Sequence, residues 1–147
     1  MSAFDVDEFL AQPRTARVAT NGPTVRPTWY LWEDGAFWIL SGPWSRLPGR
    51  IRASPRLALT VDVCDLATGL VRQVVASGVA RILPFDVPRG RRKLTRYLGE
   101  DESRWDARFR HCLYEDCDAV WIRLEPARMR AGDLSYRVSS SGARPAG

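Results

Sequence analysis

A stretch of alternating side chains around one Asp-Gly pair most constrains how this chain can fold. In the run RPTWYLWEDGAFWILSG, apolar or aromatic residues recur at every second position on both sides of Asp34-Gly35. They are Trp29, Leu31, Phe37 and Ile39. Alternate side chains of a strand share one face, and Asp-Gly favours the tight turn that joins antiparallel strands. The stretch therefore predicts a β-hairpin with strands at 25–32 and 36–40.

Small, hydroxyl and basic residues follow the second strand of this hairpin. Ser41-Gly42 end the strand, and Ser45-Arg46 come shortly afterwards. Small residues let a ligand approach the backbone, hydroxyls donate hydrogen bonds, and guanidinium groups bind phosphate oxygens in pairs. We expect this turn to hold the phosphate of a cofactor. The alternative is an ordinary turn in which Ser45 caps a short helix and Arg46 is a surface residue.

The remaining elements are short strands and short helices. Strands are predicted at 17–20, 57–63, 70–83 and 119–125, and helices at 6–11, 46–53, 87–98 and 103–113. Gly78 inside the long strand predicts a bend, and the segment after Leu134 is predicted to fray. We expect one domain over 1–137 and a disordered tail at 138–147. About six mostly antiparallel strands with packed helices predict a mainly β fold, a small β-barrel with helices.

Charge and composition narrow the classes of function. The net charge is +5, and its basic side is 21 arginines and Lys93. These residues are scattered rather than gathered into one stripe, so nucleic-acid binding is the weakest class considered. The chain has no run of about 18 apolar residues, which a membrane span requires. Its acidic start is unlike a signal peptide, so we expect a cytoplasmic protein.

The cysteines predict neither a disulfide framework nor a metal site. Cys64, Cys112 and Cys117 are odd in number and follow no secretion signal, which argues against a disulfide framework. His111 is the only histidine, and no second pair of ligands is spaced as in a zinc site.

The order and spacing of several motifs resemble a known family. WILSG at 38–42, Arg46 and RASPRLAL at 52–59 are followed by RQV at 72–74 and by Gly78 and Ala80. RYLGED at 96–101 and PARMRAGDLS at 126–135 add to the pattern. From about residue 9 to residue 134 the chain resembles the pyridoxamine 5'-phosphate oxidase-like family of FMN-binding split β-barrels.

The resemblance implies a homodimer that holds FMN or the deazaflavin coenzyme F-420 at the interface between its subunits. The residues that match the family's cofactor-contacting positions are Arg26, Trp29, Tyr30, Ser41, Gly42, Ser45, Arg46 and Gln73. Leu47 stands where the family commonly has lysine, and Arg50 and Arg52 are candidate replacements for that charge. Trp44 is a candidate to stack on the cofactor ring.

The activity implied is hydride transfer between the cofactor and a small-molecule substrate. No catalytic triad or carboxylate pair is evident, and the sequence names no catalytic residue. The vitamin B6 oxidases of the family have a basic residue at about Leu31 and a substrate-binding C-terminal segment, neither of which is recognisable here. The alternative is a non-catalytic split barrel that stores or sequesters a cofactor or heme, for which His111 is the only available histidine ligand.

Overall fold

The computed structural model describes residues 4–139 and consists of one antiparallel sheet with packed helices. The strands are β1 (Ala16–Thr20), β2 (Thr24–Thr28), β3 (Leu31–Glu33), β4 (Ala36–Ser41), β5 (Arg56–Asp65), β6 (Leu70–Pro84), β7 (Val120–Leu124) and β8 (Arg128–Asp133). The helices are α1 (Val6–Ala11), α2 (Leu47–Ala53), α3 (Val87–Leu98) and α4 (Ala107–Tyr114), and a 3₁₀ turn spans Glu102–Arg104. None of these helices has the length and apolar character needed to cross a bilayer.

The sheet curls into a barrel that does not close. Its strands follow the order β2-β1-β5-β6-β7-β4-β3, and β8 joins β6. The first part of β6, up to Ser77, lies between β5 and β8, whereas the part from Ala80 pairs with β7. Gly78 lies at this change of partner, where a Cβ would be 3.0 Å from the backbone nitrogen of Ala127. The predicted mainly β, split-barrel fold is confirmed, with eight strands rather than six.

The predicted hairpin forms around Asp34-Gly35. Both residues have positive φ, +56° and +66°, as the type I′ turn of a two-residue hairpin requires. Phe37 and Ile39 point into the barrel interior, while Trp38 belongs to a second buried cluster on the opposite face. Strand β4 is therefore buried on both faces.

The predicted first strand of the hairpin is interrupted at residues 29–30. The backbone N–H of Tyr30 donates to the hydroxyl of Tyr97 over 3.0 Å, and its carbonyl accepts from Arg96 and from the same hydroxyl. The Tyr97 hydroxyl also donates to the carbonyl of Arg14 over 2.6 Å. Because α3 takes up the backbone groups of Tyr30, the ladder breaks into β2 and β3.

The C-terminal third also differs from the sequence-based expectation. No strand was predicted at β8, whose sequence RMRAGD is short, contains glycine and has only two apolar residues; its backbone pairs along β6. The helix predicted at 103–113 starts late because Asp106 caps α4 by accepting from the backbone of Arg108. Beyond Leu134 the chain does not fray at once, since Tyr136 donates to the carbonyl of Gly69 over 2.9 Å. Residues 140–147 of the predicted tail lie outside the described residues.

Two of the three cysteines are bonded, although their odd number and the lack of a secretion signal argued against a disulfide framework. Cys112 near the end of α4 and Cys117 in the following connection form a disulfide, with their Cα atoms 5.4 Å apart. That separation lies within the usual range for a disulfide. Cys64 is a free, exposed thiol. Within residues 4–139, no three His, Cys, Asp or Glu side chains are grouped as metal ligands.

Helix α3 buries the chain's only lysine against the barrel. Lys93 is 6% exposed, and its ammonium group has no hydrogen bond or ion pair with any of residues 4–139. Burial, with a smaller contribution from the nearby charge of Arg96, lowers the pKa of Lys93 to about 8. The charged form of Lys93 is therefore destabilised in the folded state.

Replacing Lys93 with methionine, whose side chain has a similar shape, is expected to stabilise the protein at pH 7 by about 1–3 kcal/mol, because it removes a charge that desolvation destabilises in the folded state. Wild-type stability should rise from about pH 8 toward pH 10, since the folded chain releases a proton that the unfolded chain still holds. The variant should lack this rise. Urea unfolding of both proteins at pH 7 and pH 9.5 measures the difference, and a variant less stable at pH 7 would contradict the assignment.

Candidate functional site

The turn between β4 and α2 has the hydroxyl of Ser45 at its centre. The backbone N–H of Ser45 donates to the carbonyl of Gly42 over 3.0 Å, which closes the turn. The Ser45 hydroxyl then accepts from the backbone N–H of Leu47 over 3.1 Å, although Arg46 occupies the N-cap position of α2. The sequence-based interpretation of Ser45 as a capping residue thus describes part of its role.

A second contact to Ser45 comes from the edge strand β2. The guanidinium group of Arg26 donates to the Ser45 hydroxyl. Arg26 is paired with Val18 in the sheet, and both side chains lie on the inner face. Arg26 and Ser45, which are 19 residues apart in the chain, thus meet across the open seam of the barrel.

Helix α2 also lies against the turn between β1 and β2. The side-chain amide of Asn21 donates to the hydroxyl of Ser54 over 2.5 Å at the end of α2. A Cβ on Gly22 would lie 3.6 Å from a terminal nitrogen of Arg50. The guanidinium group of Arg50 therefore lies beside the β1–β2 turn, next to Gly22, which precedes the first residue of β2 by two positions.

The arginines of this region lack acidic partners. Among the residues that the structure describes, Arg26, Arg46 and Arg50 form no ion pair with a carboxylate. By contrast, Arg89 and Arg92 on α3 share Glu33, with nitrogen–oxygen distances of 2.7 Å. These hydrogen bonds hold the pKa of Glu33 below its usual value. The charges of Arg89 and Arg92 are thus compensated by a carboxylate, whereas those of Arg26, Arg46 and Arg50 have no such partner among the described residues.

Ser41 and Gly42 form the back of the same turn. Ser41 is 2% exposed, and its hydroxyl has no hydrogen-bond partner within residues 4–139. Burying an unpaired hydroxyl costs free energy, so such a group marks a position where a ligand atom is a suitable partner. Trp44 is 65% exposed and its ring covers Gly42, because a Cβ there would lie under 3.0 Å from three ring atoms.

Trp29 and Tyr30 lie in a different environment from this turn. The ring of Trp29 stacks on Tyr97 of α3 at 4.4 Å and on Phe109 of α4 at 5.4 Å. Tyr30 is fully buried, with its ring against Phe37 in the barrel core, and burial raises the pKa of its hydroxyl. Within residues 4–139, no hydrogen bond joins Trp29 or Tyr30 to Ser45, and their ring contacts lie with α3, α4 and the core.

Gln73 is also remote from the turn in this protomer. It lies on β6, opposite Asp62 of β5 and Gly132 of β8. Arg26 pairs with Val18 of β1, Val18 pairs with Leu59 of β5, and Leu59 pairs with Ala76 of β6. The residue of β6 that is level with Arg26 is therefore Ala76, three strands away, which is roughly 14 Å at standard strand spacing.

The outer face of the sheet carries a cavity that the sequence did not indicate. Its volume is about 570 Å³, and small residues of β1, β5 and β6 form its floor: Ala19, Ala58, Ser77 and Gly78. Arg56 and Arg128 lie at its rim without ion pairs to described residues. Val79 beside it is 59% exposed. Arg128 belongs to the PARMRAGDLS motif of the family resemblance, but it was not predicted as a site residue because its strand was not predicted.

Comparisons with solved structures agree on the fold. A conserved hypothetical protein from Mycobacterium tuberculosis is 24% identical, with a TM-score of 0.73 over 97% of this chain and 95% of that chain. A FAD-binding protein from Mesorhizobium loti is 21% identical, with a TM-score of 0.63 over 92% and 96%. An F420 reductase is 18% identical, with a TM-score of 0.55 over 86% and 96%. At these identities the likeness establishes the fold alone.

The family is established by the sequence match rather than by these structures. None of the functionally curated proteins matches the chain. Residues 5–131, however, match the family described as pyridoxamine 5'-phosphate oxidase, which spans α1 through most of β8 and includes the turn around Ser45. The sequence motifs, the split barrel and this match agree, and the chain belongs to the pyridoxamine 5'-phosphate oxidase family.

Proposed function

We propose that the protein is a cytoplasmic oxidoreductase that uses FMN or F-420 to transfer hydride to or from a small-molecule substrate. The observation that carries this proposal is the turn around Ser45, where Arg26 donates to the hydroxyl and Arg46 and Arg50 have no acidic partner among residues 4–139. Similar structures include a FAD-binding protein and an F420 reductase, so a phosphate-bearing flavin or deazaflavin suits the family.

The residues of the turn fit the phosphate of such a cofactor. A phosphate needs donors and positive charge, and guanidinium groups supply both in a planar fork. Arg26 would bind the phosphate together with the hydroxyl of Ser45, and Arg46 or Arg50 would compensate its second charge. The unpaired hydroxyl of Ser41 is a further donor at the back of the turn.

The cofactor would supply the hydride chemistry, and the protein would supply its position and its electrostatic environment. This division of roles accounts for the lack of an evident triad or carboxylate pair in the sequence. Trp44 is exposed beside the turn and offers an aromatic face to the cofactor ring.

We infer that the protein works as a homodimer in which the outer face of the sheet meets its copy. This face presents small residues and the exposed side chains of Val25 and Val79, which are 71% and 59% exposed. Exposed apolar patches of this kind mark interaction surfaces. Gln73 lies on the same face as the cavity, so pairing would bring it into the interface region. Sedimentation equilibrium should give twice the chain mass of 16.6 kDa.

Binding of FMN, F-420 and riboflavin to the purified protein tests the cofactor proposal. Riboflavin lacks the phosphate. We therefore expect the protein to quench the fluorescence of FMN or F-420 in a saturable manner, at concentrations where it does not bind riboflavin. Equal affinity for FMN and riboflavin would contradict the phosphate role of the turn. Lack of saturable binding by both phosphate-bearing cofactors would contradict the cofactor assignment as a whole.

Reduction of the bound cofactor then separates an enzyme from a binding protein. Loaded protein is mixed anaerobically with NADPH or with reduced F-420, and the cofactor absorbance is followed. Reduction followed by reoxidation with an electron-accepting substrate is the result expected of an oxidoreductase. A cofactor that binds tightly but exchanges no hydride would favour the non-catalytic, sequestering alternative.

A further inference from the structure

The disulfide between Cys112 and Cys117 closes a small loop at one end of α4. Cys112 lies in the helix, Cys117 lies in the irregular connection to β7, and only four residues separate them. We propose that this pair is a reversible dithiol–disulfide site. A dithiol reductant opens the bond, and its opening loosens the contact of α4 with Trp29. The proposal does not depend on a bound cofactor.

The bond is accessible to a reductant. Both cysteines are half-buried and line a surface cavity of about 690 Å³. The apolar part of its wall comes from the end of β6, the start of α3 and the segment before β7, and the carboxylates of Glu115, Asp116 and Asp118 also line it. The apolar residues include Leu83, Pro84, Phe85, Val87 and Ala119. A small dithiol, or the exposed cysteine pair of a reducing protein, therefore has space to approach either sulfur atom.

The position of the bond is unlike that of a structural staple. It joins no two strands, and every strand pairing of the barrel is made elsewhere. A disulfide stabilises a fold less when the loop that it closes is short, and this one joins residues with a sequence separation of only 5. Moreover, disulfides of cytosolic proteins, the compartment that we propose, are mostly catalytic or redox-sensing. Opening the bond should therefore leave the barrel intact.

The same helix carries the side chain that touches Trp29. Phe109 precedes Cys112 by three residues, so both lie on one side of α4, and its ring stacks on Trp29 at 5.4 Å. Leu113 packs with Leu94 and Trp105 in the same cluster. A helix of eight residues is not stable by itself, so α4 depends on these contacts and on the disulfide. Loss of the covalent link should increase its local opening.

The exchange is balanced within the pair and its reductant. A thiolate of the dithiol attacks one cysteine sulfur, the bond between Cys112 and Cys117 breaks, and the displaced thiolate takes a proton. The second thiolate of the reductant then attacks the mixed disulfide and releases the other cysteine, which is also protonated. Two electrons and two protons pass to the protein, and the reductant becomes a disulfide. The reverse reaction with an oxidised dithiol closes the loop again.

Counting thiols in the full-length protein tests the chemical step. Oxidised protein should react with one equivalent of an alkylating reagent, at Cys64, and protein treated with dithiothreitol should react with three. Removal of the reductant and addition of excess oxidised glutathione, whose disulfide takes up the two electrons, should return the count to one. The variant Cys64→Ser is the matched control and should change between zero and two. A count that stays at one in excess reductant, or a reduced form that cannot be closed again, would overturn the proposal.

Limited trypsin digestion tests the structural step without any activity assay. Arg108 and Arg110 lie on α4 and are cleavage sites, whereas the exposed Arg52 on α2 is an internal reference. Reduction should accelerate cleavage after Arg108 and Arg110 at least about fivefold and leave cleavage after Arg52 unchanged. The double variant Cys112→Ser with Cys117→Ser should behave as the reduced protein under all conditions.

Two results would overturn the coupling to α4. Equal cleavage of the oxidised and reduced proteins at Arg108 and Arg110 would show that the bond does not control the helix. A reduced protein that loses its β-sheet circular dichroism or is cleaved throughout would identify the disulfide as a structural staple. Both results are independent of whether FMN or F-420 binds, so failure here leaves the proposed oxidoreductase function standing.

Discussion

Replacing Arg26 with methionine is expected to weaken binding of FMN or F-420 by about 10- to 100-fold, which is the usual contribution of one charge-assisted hydrogen bond, about 1.5–3 kcal/mol. Arg26 has no acidic partner among residues 4–139, and its guanidinium group already donates to Ser45. Fluorescence titration of wild type and variant with the same cofactor measures the ratio. The loss should concern the phosphate alone, so affinity for riboflavin should not change.

Two further variants make this result interpretable. Arg81→Met removes an exposed arginine near the C-terminal end of β6. This arginine also has no ion pair in the described part of the chain. It should bind the cofactor as wild type does. Arg26→Lys keeps the charge without the planar fork and should fall between the two. Unchanged FMN affinity in Arg26→Met, with an unchanged unfolding midpoint, would remove Arg26 from the cofactor site.

Replacing Trp121 with alanine is expected to lower the free energy of unfolding by about 3–5 kcal/mol, as for other large buried aromatic residues. Trp121 is fully buried on β7, and its ring contacts Trp38 at 6.1 Å and Phe85 at 5.7 Å. Its indole N–H donates to Asp86 over 3.1 Å, and Asp86 in turn caps α3. The substitution therefore opens a cavity, and it also removes the hydrogen bond that links β7 to the N-cap residue of α3.

The comparison with an exposed tryptophan and with a smaller change sharpens this test. Trp44→Ala removes a ring that is 65% exposed and should cost less than about 1 kcal/mol. Trp121→Phe keeps most of the packing and should lose about 1 kcal/mol with the hydrogen bond to Asp86. Denaturant unfolding with an unchanged m-value measures all three. A cost for Trp121→Ala no greater than that for Trp44→Ala would contradict the packing described here.

The parts of the fold that were predictable have local causes. Asp34-Gly35 adopts positive φ at both positions because the Asp-Gly pair tolerates it, and the alternation around it determines which side chains face the core. Likewise, Asp86 and Gly99 bound α3 where the capping rules place them. These signals act over a few residues, so the sequence alone indicates them.

The candidate site was only partly predictable for the same reason. The turn at 41–46 was visible as a cluster of small, hydroxyl and basic residues, and the contact of Arg26 with Ser45 agrees with that grouping. The positions of Trp29 and Tyr30 depend on Tyr97, which lies 67 residues beyond Tyr30 in the chain. No pattern within the strand reports such a distant hydroxyl.

By itself, then, the sequence determined the hairpin, the mainly β class, the family resemblance and the position of the turn at 41–46, because each depends on neighbouring side chains or on the order of motifs. Only the tertiary structure decided the break in the first hairpin strand, the added edge strand β8, the disulfide and the unequal distribution of ion pairs. These features depend on contacts that form only when the packed fold places particular backbone groups, charges or sulfur atoms close together. Neither the composition nor the periodicity of the sequence indicates which of these groups come into contact.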